Sequence, residues 1–386
     1  MIPVNEPLIG AKEIEYVNDC LQTGWISSAG RYIVEFEEKW ANYCGMQYGI
    51  AMSNGTTALQ AALACINLQP GDKVIMPSFT IISCAQAIIY NGGIPVLVDC
   101  DPHTWCMDVQ QVREKVESEI KKGDGKLKAI MPVHIYGHPV DMDQILDLAE
   151  KYHLQIIEDA AEAHGAEYLT GRNTSQPHWK RCGGFGHVSA FSFYANKLIT
   201  TGEGGMVLTN DPVYADKARA LRNLCFLPEQ RFLHRELGHN FRLTNLQAAI
   251  GLGQLERIDE IVARKRWMGQ AYTERLKEIK SIQLPVEESW AKSVYWMYGI
   301  VLDESTGMDA VQFSRKLKEK GVETRPFFLG MHQQPVFQKM GLFHSEKYPE
   351  TERIARQGLY LPSGLTLSET NINLICNLVK ETYKET

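Results

Sequence analysis

The chain lacks the features that mark several specialised classes of protein. Its 386 residues contain no C-x-x-C pair, no internal repeat and no apolar run long enough to span a membrane. The nine cysteines are scattered, and the segment from Met1 to Glu6 has neither the basic nor the apolar region of a signal peptide. We therefore expect a cytoplasmic protein with reduced thiols.

Strong charge of one sign is also missing. The formal net charge is -6 and the pI is about 6.0, so we expect neither nucleic acid nor a membrane as a partner. Apolar residues make up 44% and charged residues 22%, which is ordinary for a globular protein. A chain of this length has room for one large and one smaller domain.

Apolar, strand-like runs alternate with helical patterns in the first half of the chain. The runs lie at 73–76, 95–98, 129–133, 154–157, 190–193 and 205–209, and helical spacing covers 56–68 and 141–153. Strands that are apolar on both faces and separated by helices predict a mostly parallel sheet covered on both sides. The predicted fold class is therefore α/β.

The C-terminal part has a different pattern. An apolar stripe, Leu246, Ile250, Leu255, Ile258 and Val262, predicts one long helix leading into a smaller domain. There we predict strands over 295–302 and 322–328, and helices over 310–320 and 369–384. We place the large domain at residues 1–250 and the small domain at 251–386.

A lysine stands between a predicted strand and a glycine-rich turn. The segment runs Ser189-Ala-Phe-Ser-Phe-Tyr-Ala-Asn-Lys-Leu-Ile-Thr-Thr-Gly-Glu-Gly-Gly205, and its lysine is Lys197. One interpretation is a solvated surface lysine. The other is a partly buried amine that forms a Schiff base with an aldehyde, since the glycines allow a cofactor to approach closely. This segment alone leaves the two evenly balanced.

Two further segments favour the second interpretation. Asp159 follows the strand at 154–157, at the edge where α/β sheets bind ligands, and could pair with the pyridine nitrogen of pyridoxal phosphate (PLP) or cap a helix. The segment Ser53-Asn-Gly-Thr56 opens a helix whose amides favour an anion such as a phosphate, although a plain N-cap is the commoner explanation. Together the three segments predict a PLP enzyme.

With these motifs the chain resembles the DegT/DnrJ/EryC1/StrS family of PLP-dependent nucleotide-sugar aminotransferases. Matching stretches occur along almost the whole chain, at Trp25–Ser28, Ser53–Ala58, Met131–Gly137, Ile157–Glu162, Phe191–Phe193, Asn196–Lys197, Thr201–Gly205 and Asn240–Ile250. The resemblance implies the aspartate-aminotransferase fold (fold type I), in which a large domain carries a mixed, mostly parallel sheet of the seven-stranded type. A smaller C-terminal α/β domain completes it.

The resemblance also implies how the cofactor is held. Lys197 would be the catalytic residue that binds PLP covalently, Asp159 would pair with the pyridine nitrogen, and Glu162 would lie near the ring hydroxyl. Residues implied at the phosphate are Gly55, Thr56 and Ser192, with Asn240 reaching over from the partner subunit of a homodimer.

The implied reaction moves an amino group from L-glutamate to C4 of a nucleotide-linked 4-keto-6-deoxyhexose, for cell-surface polysaccharide synthesis. A GDP-linked, perosamine-type sugar is favoured, while a dTDP-linked, viosamine-type sugar and amination at C3 stay open. Residues implied near the sugar nucleotide are Trp25, Ser27, His134, Arg325 and His332. A basic stretch comprises Arg231, His234, Arg235, Arg242 and residues 264–266. The default interpretation of these residues is a solvated face, and the alternative is that a few of them contact the diphosphate.

Three departures from the family pattern bear on the substrate. Ile81 stands where relatives carry an aromatic residue over the cofactor, so that stacking is lost or Phe79 replaces it. The segment 171–186 is longer than in relatives, and His187 stands where they often have aspartate.

Three alternatives are disfavoured. A dehydratase of the same fold would carry histidine in place of Lys197, and a non-catalytic regulator would not need both Lys197 and Asp159. A metal site at His134 lacks a second histidine or cysteine at ligand spacing.

Overall fold

Fourteen strands form three sheets in the computed structural model, which describes residues 1–227, 229–230 and 232–384. The strands are β1 (Tyr48–Met52), β2 (Lys73–Pro77), β3 (Ile94–Val98), β4 (Leu127–Ile130), β5 (Gln155–Asp159), β6 (Glu167–Thr170), β7 (His178–Arg181), β8 (Val188–Ser192), β9 (Gly205–Thr209), β10 (Ile282–Gln283), β11 (Ala291–Lys292), β12 (Tyr298–Leu302), β13 (Arg325–Pro326) and β14 (Gly358–Leu361).

The central sheet has seven strands in the order β1-β9-β8-β5-β4-β2-β3. Only β9 runs antiparallel to its neighbours, β1 and β8. The remaining pairs are parallel. Strands β1, β2, β5, β8 and β9 are almost entirely buried, as expected for a sheet covered on both faces. The prediction of an α/β fold with a mixed, mostly parallel sheet is confirmed.

Helices cover the sheets and join their strands. They are α1 (Ala11–Thr23), α2 (Arg31–Tyr43), α3 (Gly55–Cys65), α4 (Ser83–Tyr90), α5 (Val109–Lys121), α6 (Met142–Tyr152), α7 (Pro212–Arg222), α8 (Asn245–Leu255), α9 (Ile258–Leu276), α10 (Ala310–Glu319), α11 (Pro335–Lys339), α12 (Pro349–Gln357) and α13 (Glu369–Lys384). Among the described residues, no helix combines the length and apolar character needed to cross a membrane.

The long helix predicted from the apolar stripe is wrong, because the structure divides it into α8 and α9. The break falls at Arg257, whose φ of -124° and ψ of 23° lie outside the helical region. Leu255 and Ile258, on either side of the break, are both buried. The apolar spacing therefore continued across the break and concealed it.

A second hydrophobic core lies in the C-terminal part of the chain. The sheet β10-β12-β14-β13 packs there against α10, which also packs against α13, around buried residues such as Tyr298, Phe313 and Ile372. The strand predicted over 322–328 is only two residues long and ends at Pro326, which has no backbone N–H to donate. The boundary between residues 250 and 251 stays a prediction.

The segment 171–186 is not a simple loop. It contains β7, which pairs antiparallel with β6, and β11 completes a small three-stranded sheet on the other side of β6. At the end of this segment, His187 accepts a hydrogen bond from the backbone amide of Ile156, 2.9 Å away. The departures from the family pattern at these positions therefore belong to a folded substructure.

Candidate active site

A cavity of about 600 Å³ lies at the carboxyl ends of the central strands β5 and β8. This is the edge at which open α/β sheets bind ligands. The cavity is lined by six residues that were predicted to bind the cofactor: Gly55, Thr56, Asp159, Glu162, Ser192 and Lys197. The structure thus brings together side chains that lie far apart in the sequence.

The first turn of α3 presents backbone amides to the cavity. Asn54 caps the helix, since its side chain accepts from the Thr57 amide at 2.9 Å and its carbonyl accepts from the Ala58 amide at 3.1 Å. Of the first four helical amides, those of Gly55 and Thr56 remain for a ligand. A Cβ on Gly55 would lie 2.6 Å from Cβ of Ser192, so only glycine fits there.

Asp159 ends β5 and is 2% exposed. Its Oδ1 accepts from the Ala161 amide at 3.0 Å, and its Oδ2 accepts from the Cys84 thiol at 3.1 Å. Burial raises the pKa of Asp159 above its ordinary value, although these hydrogen bonds and Lys197 act in the opposite direction. The carboxylate is therefore short of a cationic partner.

Lys197 and Glu162 form a buried pair. Nζ of Lys197 lies 3.5 Å from Oε1 of Glu162, while Oε2 of Glu162 accepts from the Tyr136 amide at 2.8 Å. Burial lowers the pKa of Lys197, against the pull of Glu162 and Asp159, and raises the pKa of Glu162 to about 7. Burial therefore shifts both groups toward their uncharged forms, and a neutral lysine amine is a nucleophile.

Glu158, next to Asp159, lies in a separate buried network. Its carboxylate accepts from the His134 ring at 2.8 Å and from the Ser189 hydroxyl at 2.9 Å. It also accepts from the backbone amides of Gly183, Phe185 and Gly186. Burial opposes its ionisation, but the contacts with His134 and the amides leave the pKa of Glu158 below its ordinary value.

Cys182 lies beside this network, a neighbour that sequence spacing did not reveal. Among the described residues, His134, Glu158 and Cys182 are the one group of three or more whose potential metal-ligand atoms lie within 4.8 Å of one another. However, Nδ1 of His134 accepts from the Val140 amide at 3.0 Å, so Nε2 carries the proton that it donates to Glu158. Both ring nitrogens of His134 are thus occupied by hydrogen bonds.

The residues predicted near the sugar nucleotide do not line the cavity. His134 is buried in the network with Glu158, and His332 is buried between Ser78 and Glu352, at 2.8 and 3.1 Å. Arg325 pairs with Glu323 at the surface. Trp25 lines a different pocket, of about 520 Å³, beside α1 and α2, and Ser27 is exposed nearby.

Two further predictions concern residues outside the cavity. Asn240 is exposed and does not line it. In the basic stretch, Arg231 lies outside the described residues, Arg266 pairs with Glu287, and Lys265 is buried at 2% exposure. The described part of the basic stretch is therefore not a continuous solvated face.

Several cavity residues were not predicted, including Ser83, Tyr194, Trp296, Phe328 and Tyr360. Ser83 follows the carboxyl end of β2, so the position of its strand could have indicated it. Trp296 and Tyr360 come from the second half of the chain, and no local pattern marks them.

Phe79 does not take the place of an aromatic residue at position 81. Its ring is fully buried and packs against Tyr136 and Phe327, whereas Ile81 is 40% exposed and lines the cavity. The suggestion that Phe79 replaces the missing aromatic residue is therefore wrong.

These groups fit pyridoxal phosphate. The amides of Gly55 and Thr56 suit its phosphate, Asp159 lacks the cation that a protonated pyridine nitrogen would supply, and Lys197 offers an amine for its aldehyde. The lining also includes the rings of Trp296, Phe328 and Tyr360, which can pack against a flat cofactor or a sugar.

Comparison with known proteins agrees with this fit. The model of the DegT/DnrJ/EryC1/StrS aminotransferase family matches residues 7–380. The GDP-perosamine synthase of Caulobacter vibrioides is 42% identical over 376 residues, which cover 97% of this chain and 96% of that protein. The GDP-perosamine synthase of Escherichia coli O157:H7 is 39% identical over 384 residues, which cover 100% of this chain and 99% of that protein.

A solved structure gives the same result. The crystal structure of DesV from S. venezuelae has a TM-score of 0.86 and 30% sequence identity, and the match covers 97% of this chain and 95% of that chain. The predicted resemblance is confirmed: the chain belongs to the DegT/DnrJ/EryC1/StrS aminotransferase family, whose cofactor is pyridoxal phosphate.

Proposed function

We propose that the protein transfers an amino group from L-glutamate to C4 of a GDP-linked 4-keto-6-deoxyhexose. The products are 2-oxoglutarate and a GDP-linked 4-amino-4,6-dideoxy sugar of the perosamine type, for use in a cell-surface polysaccharide. Two full-length relatives named GDP-perosamine synthase, at 39% and 42% identity, support the substrate. The nine free cysteines support a reducing compartment such as the cytoplasm.

The observation that carries the proposal is the placement of Lys197. Its side chain is 10% exposed, lies beside Glu162 and lines a cavity that is also lined by Asp159 and the first residues of α3. A solvated lysine would have none of these neighbours. The arrangement fits a reaction in which one amine binds the cofactor and then moves a proton.

Each of the other residues has a distinct task in this proposal. Bound PLP supplies an aldehyde that accepts the amino group and a ring that withdraws electrons from the carbon being deprotonated. Asp159 holds the proton on the pyridine nitrogen. Gly55, Thr56 and Ser192 would bind the phosphate and so orient the cofactor in the cavity.

Lys197 moves the proton once its amine is free. Burial lowers the pKa of Lys197, which favours the neutral amine that can accept a proton from the α-carbon of glutamate. Glu162, 3.5 Å away, accepts a hydrogen bond from Nζ after protonation. With a keto sugar as acceptor, the same groups return the proton in the opposite sense, and the amino group ends on C4.

An assay with paired substrates tests the proposal. The purified protein is given glutamate and either GDP- or dTDP-linked 4-keto-6-deoxyhexose, and the product is identified by mass and NMR. We expect a C4 amine on the GDP sugar. Faster turnover of the dTDP sugar, or an amine at C3, would overturn the substrate assignment, and no amination of either sugar would overturn the function.

Two lysine variants control this assay. Lys197→Ala should abolish turnover, whereas Lys292→Ala should leave it unchanged, because Lys292 pairs with Glu167 in the small outer sheet. Loss of activity in both variants would indicate a general effect on folding.

We further propose that the active unit is a homodimer in which Asn240 reaches the partner's phosphate site. Asn240 is exposed outside its own cavity, and large apolar side chains are exposed on α1 and α2, including Ile14, Leu21 and Val34. Exposed apolar patches of this kind mark interaction surfaces.

Subunit mixing tests the dimer. Lys197→Ala and Asn240→Ala, each of low activity, are unfolded together and refolded. In a mixed dimer both defects fall in one site, which leaves the other site intact, so activity should return to about a quarter of the wild-type value for random pairing. No recovery, or a monomer by light scattering, would contradict the shared site.

A further inference from the structure

Trp296 makes the closest aromatic contact with Lys197. Nζ of Lys197 lies 3.5 Å from the centroid of the Trp296 ring, well inside the range of about 6 Å over which a ring face attracts an ammonium group. Trp296 is 4% exposed and lies between β11 and β12, far from Lys197 in the sequence. The contact is therefore a product of the fold.

The same indole also holds the backbone beside the lysine. Nε1 of Trp296 donates to the carbonyl of Asn196 at 2.8 Å, and Asn5 donates to the same carbonyl at 3.1 Å. One side chain thus contacts both the amine of Lys197 and the peptide group that precedes it. Few rearrangements of Lys197 could leave both contacts intact.

The indole is itself fixed by its neighbours. The backbone carbonyl of Trp296 accepts a hydrogen bond from Nζ of the buried Lys265 at 2.8 Å. The indole ring stacks on the ring of Tyr136, with 6.1 Å between the ring centroids and an interplanar angle of 27°. The amide of Tyr136 in turn donates to Glu162, whose other oxygen is 3.5 Å from Lys197. The amine therefore lies between a carboxylate and a ring face that are physically linked.

We propose that Trp296 is a positioning residue that holds the Lys197 amine at the cofactor site whenever the amine is not covalently engaged. The inference rests on the proposed role of Lys197. In amino transfer that amine is released and must return in every cycle, and a free lysine has four side-chain torsions to restrict. The ring face restricts these torsions at the amine end of the lysine side chain, and the indole N–H restricts them at the backbone end.

Trp296 also favours one protonation state of the amine. A ring face attracts an ammonium more strongly than a neutral amine, so it acts in the same direction as Glu162, Asp159 and Cys84 and against burial. His164 also interacts electrostatically with Lys197, and burial keeps the histidine neutral by lowering its pKa to about 3. Removing the ring should therefore lower the pH at which the amine becomes reactive.

The test follows covalent capture of PLP by the protein freed of cofactor. In capture the Lys197 nitrogen forms a C=N bond with the PLP aldehyde and water leaves, which shifts the absorbance of PLP toward the visible. The rate is measured from pH 6 to 9 for wild type, Trp296→Phe and Trp296→Leu. Phenylalanine keeps a ring face and loses the N–H, whereas leucine loses both.

We expect Trp296→Leu to reduce the plateau rate of capture about tenfold and to move the midpoint of the pH profile downward. Trp296→Phe should keep the wild-type midpoint and slow capture about threefold. The matched control is Trp290→Leu, which removes an indole packed against His138 and Tyr168, and it should behave as wild type.

Wild-type rate and midpoint in a folded Trp296→Leu protein would overturn the inference, as would equal changes in Trp290→Leu. If Trp296→Leu does not fold, as judged by thermal unfolding, Trp296→Phe decides, and capture at the wild-type rate overturns the proposal. Failure of the wild type to capture PLP would instead overturn the proposed function. The two failures are thus distinguishable.

Discussion

Glu158 and Asp159 are successive residues at the end of β5, so their side chains lie on opposite faces of the central sheet. Both are buried, at 0% and 2% exposure. Glu158 accepts from His134, Ser189 and three backbone amides, whereas Asp159 accepts from Cys84 and one amide. The pKa is lowered for Glu158 and raised for Asp159.

The number of hydrogen-bond donors separates a structural carboxylate from one that awaits a ligand. Donors within the protein satisfy the hydrogen-bonding capacity of the Glu158 carboxylate, which joins the segment at 183–186 to the sheet. Asp159 is left with too few donors for a buried charge, and a protonated pyridine nitrogen would supply the missing one. Glu162, with one amide donor and Lys197 beside it, resembles Asp159.

The largest effect should come from Asp159→Asn. Asparagine cannot hold the proton on the pyridine nitrogen, so turnover should fall about 100- to 1,000-fold. The cofactor-free protein should be no less stable than wild type at pH 7, because the replaced carboxylate is desolvated. Steady-state kinetics and thermal unfolding measure the two quantities, and turnover within threefold of wild type would refute the pairing.

Glu158→Gln should have the opposite profile. Glutamine keeps one accepting oxygen, but its NH2 group replaces the other and faces donors, so we expect the free energy of unfolding to fall by about 3 kcal/mol at pH 7. Because the pKa of Glu158 is lowered in the folded protein, this stabilisation is present above its ordinary pKa of 4.5 and is lost as the pH falls through the folded value. Urea unfolding at pH 7 and pH 4 measures both. Equal stability of the Glu158→Gln and Asp159→Asn proteins would remove the distinction between the two carboxylates.

Glu162→Gln should have a smaller effect, which depends on pH. The folded pKa of about 7 exceeds the ordinary 4.5, so stability from this group is present below pH 4.5 and lost as the pH rises through 7. In the cofactor-free protein, Glu162→Gln should reduce that loss by up to about 3 kcal/mol. Unfolding curves between pH 4.5 and 8 measure it, and parallel profiles for variant and wild type would contradict the raised pKa.

Much of the cofactor site could be predicted from the sequence because it is built from local patterns. Asp159 ends a strand, Gly55 and Thr56 open a helix, and Lys197 lies between a strand and a glycine-rich turn. The structure places all four at one cavity. Each pattern places a residue near the end of a strand, and the parallel topology brings the carboxyl ends of these strands to the same edge of the sheet.

The rest depends on contacts that local patterns do not encode. His134 and His332 were expected near the sugar nucleotide, yet both form buried hydrogen bonds elsewhere. Cys84 and Trp296 contact Asp159 and Lys197, but only the packing of α4 and of the chain before β12 brings them there. Hydrophobic periodicity and motif spacing describe one helix or strand at a time, whereas these residues make contacts between different helices, strands and loops.

Reductive trapping identifies the lysine that binds the cofactor. The protein is loaded with PLP, reduced with borohydride and digested, and the modified peptide is identified by mass spectrometry. We predict that the modification lies on Lys197. Modification of Lys265 instead, the more deeply buried lysine whose pKa burial lowers to about 7, or of no lysine, would contradict the account.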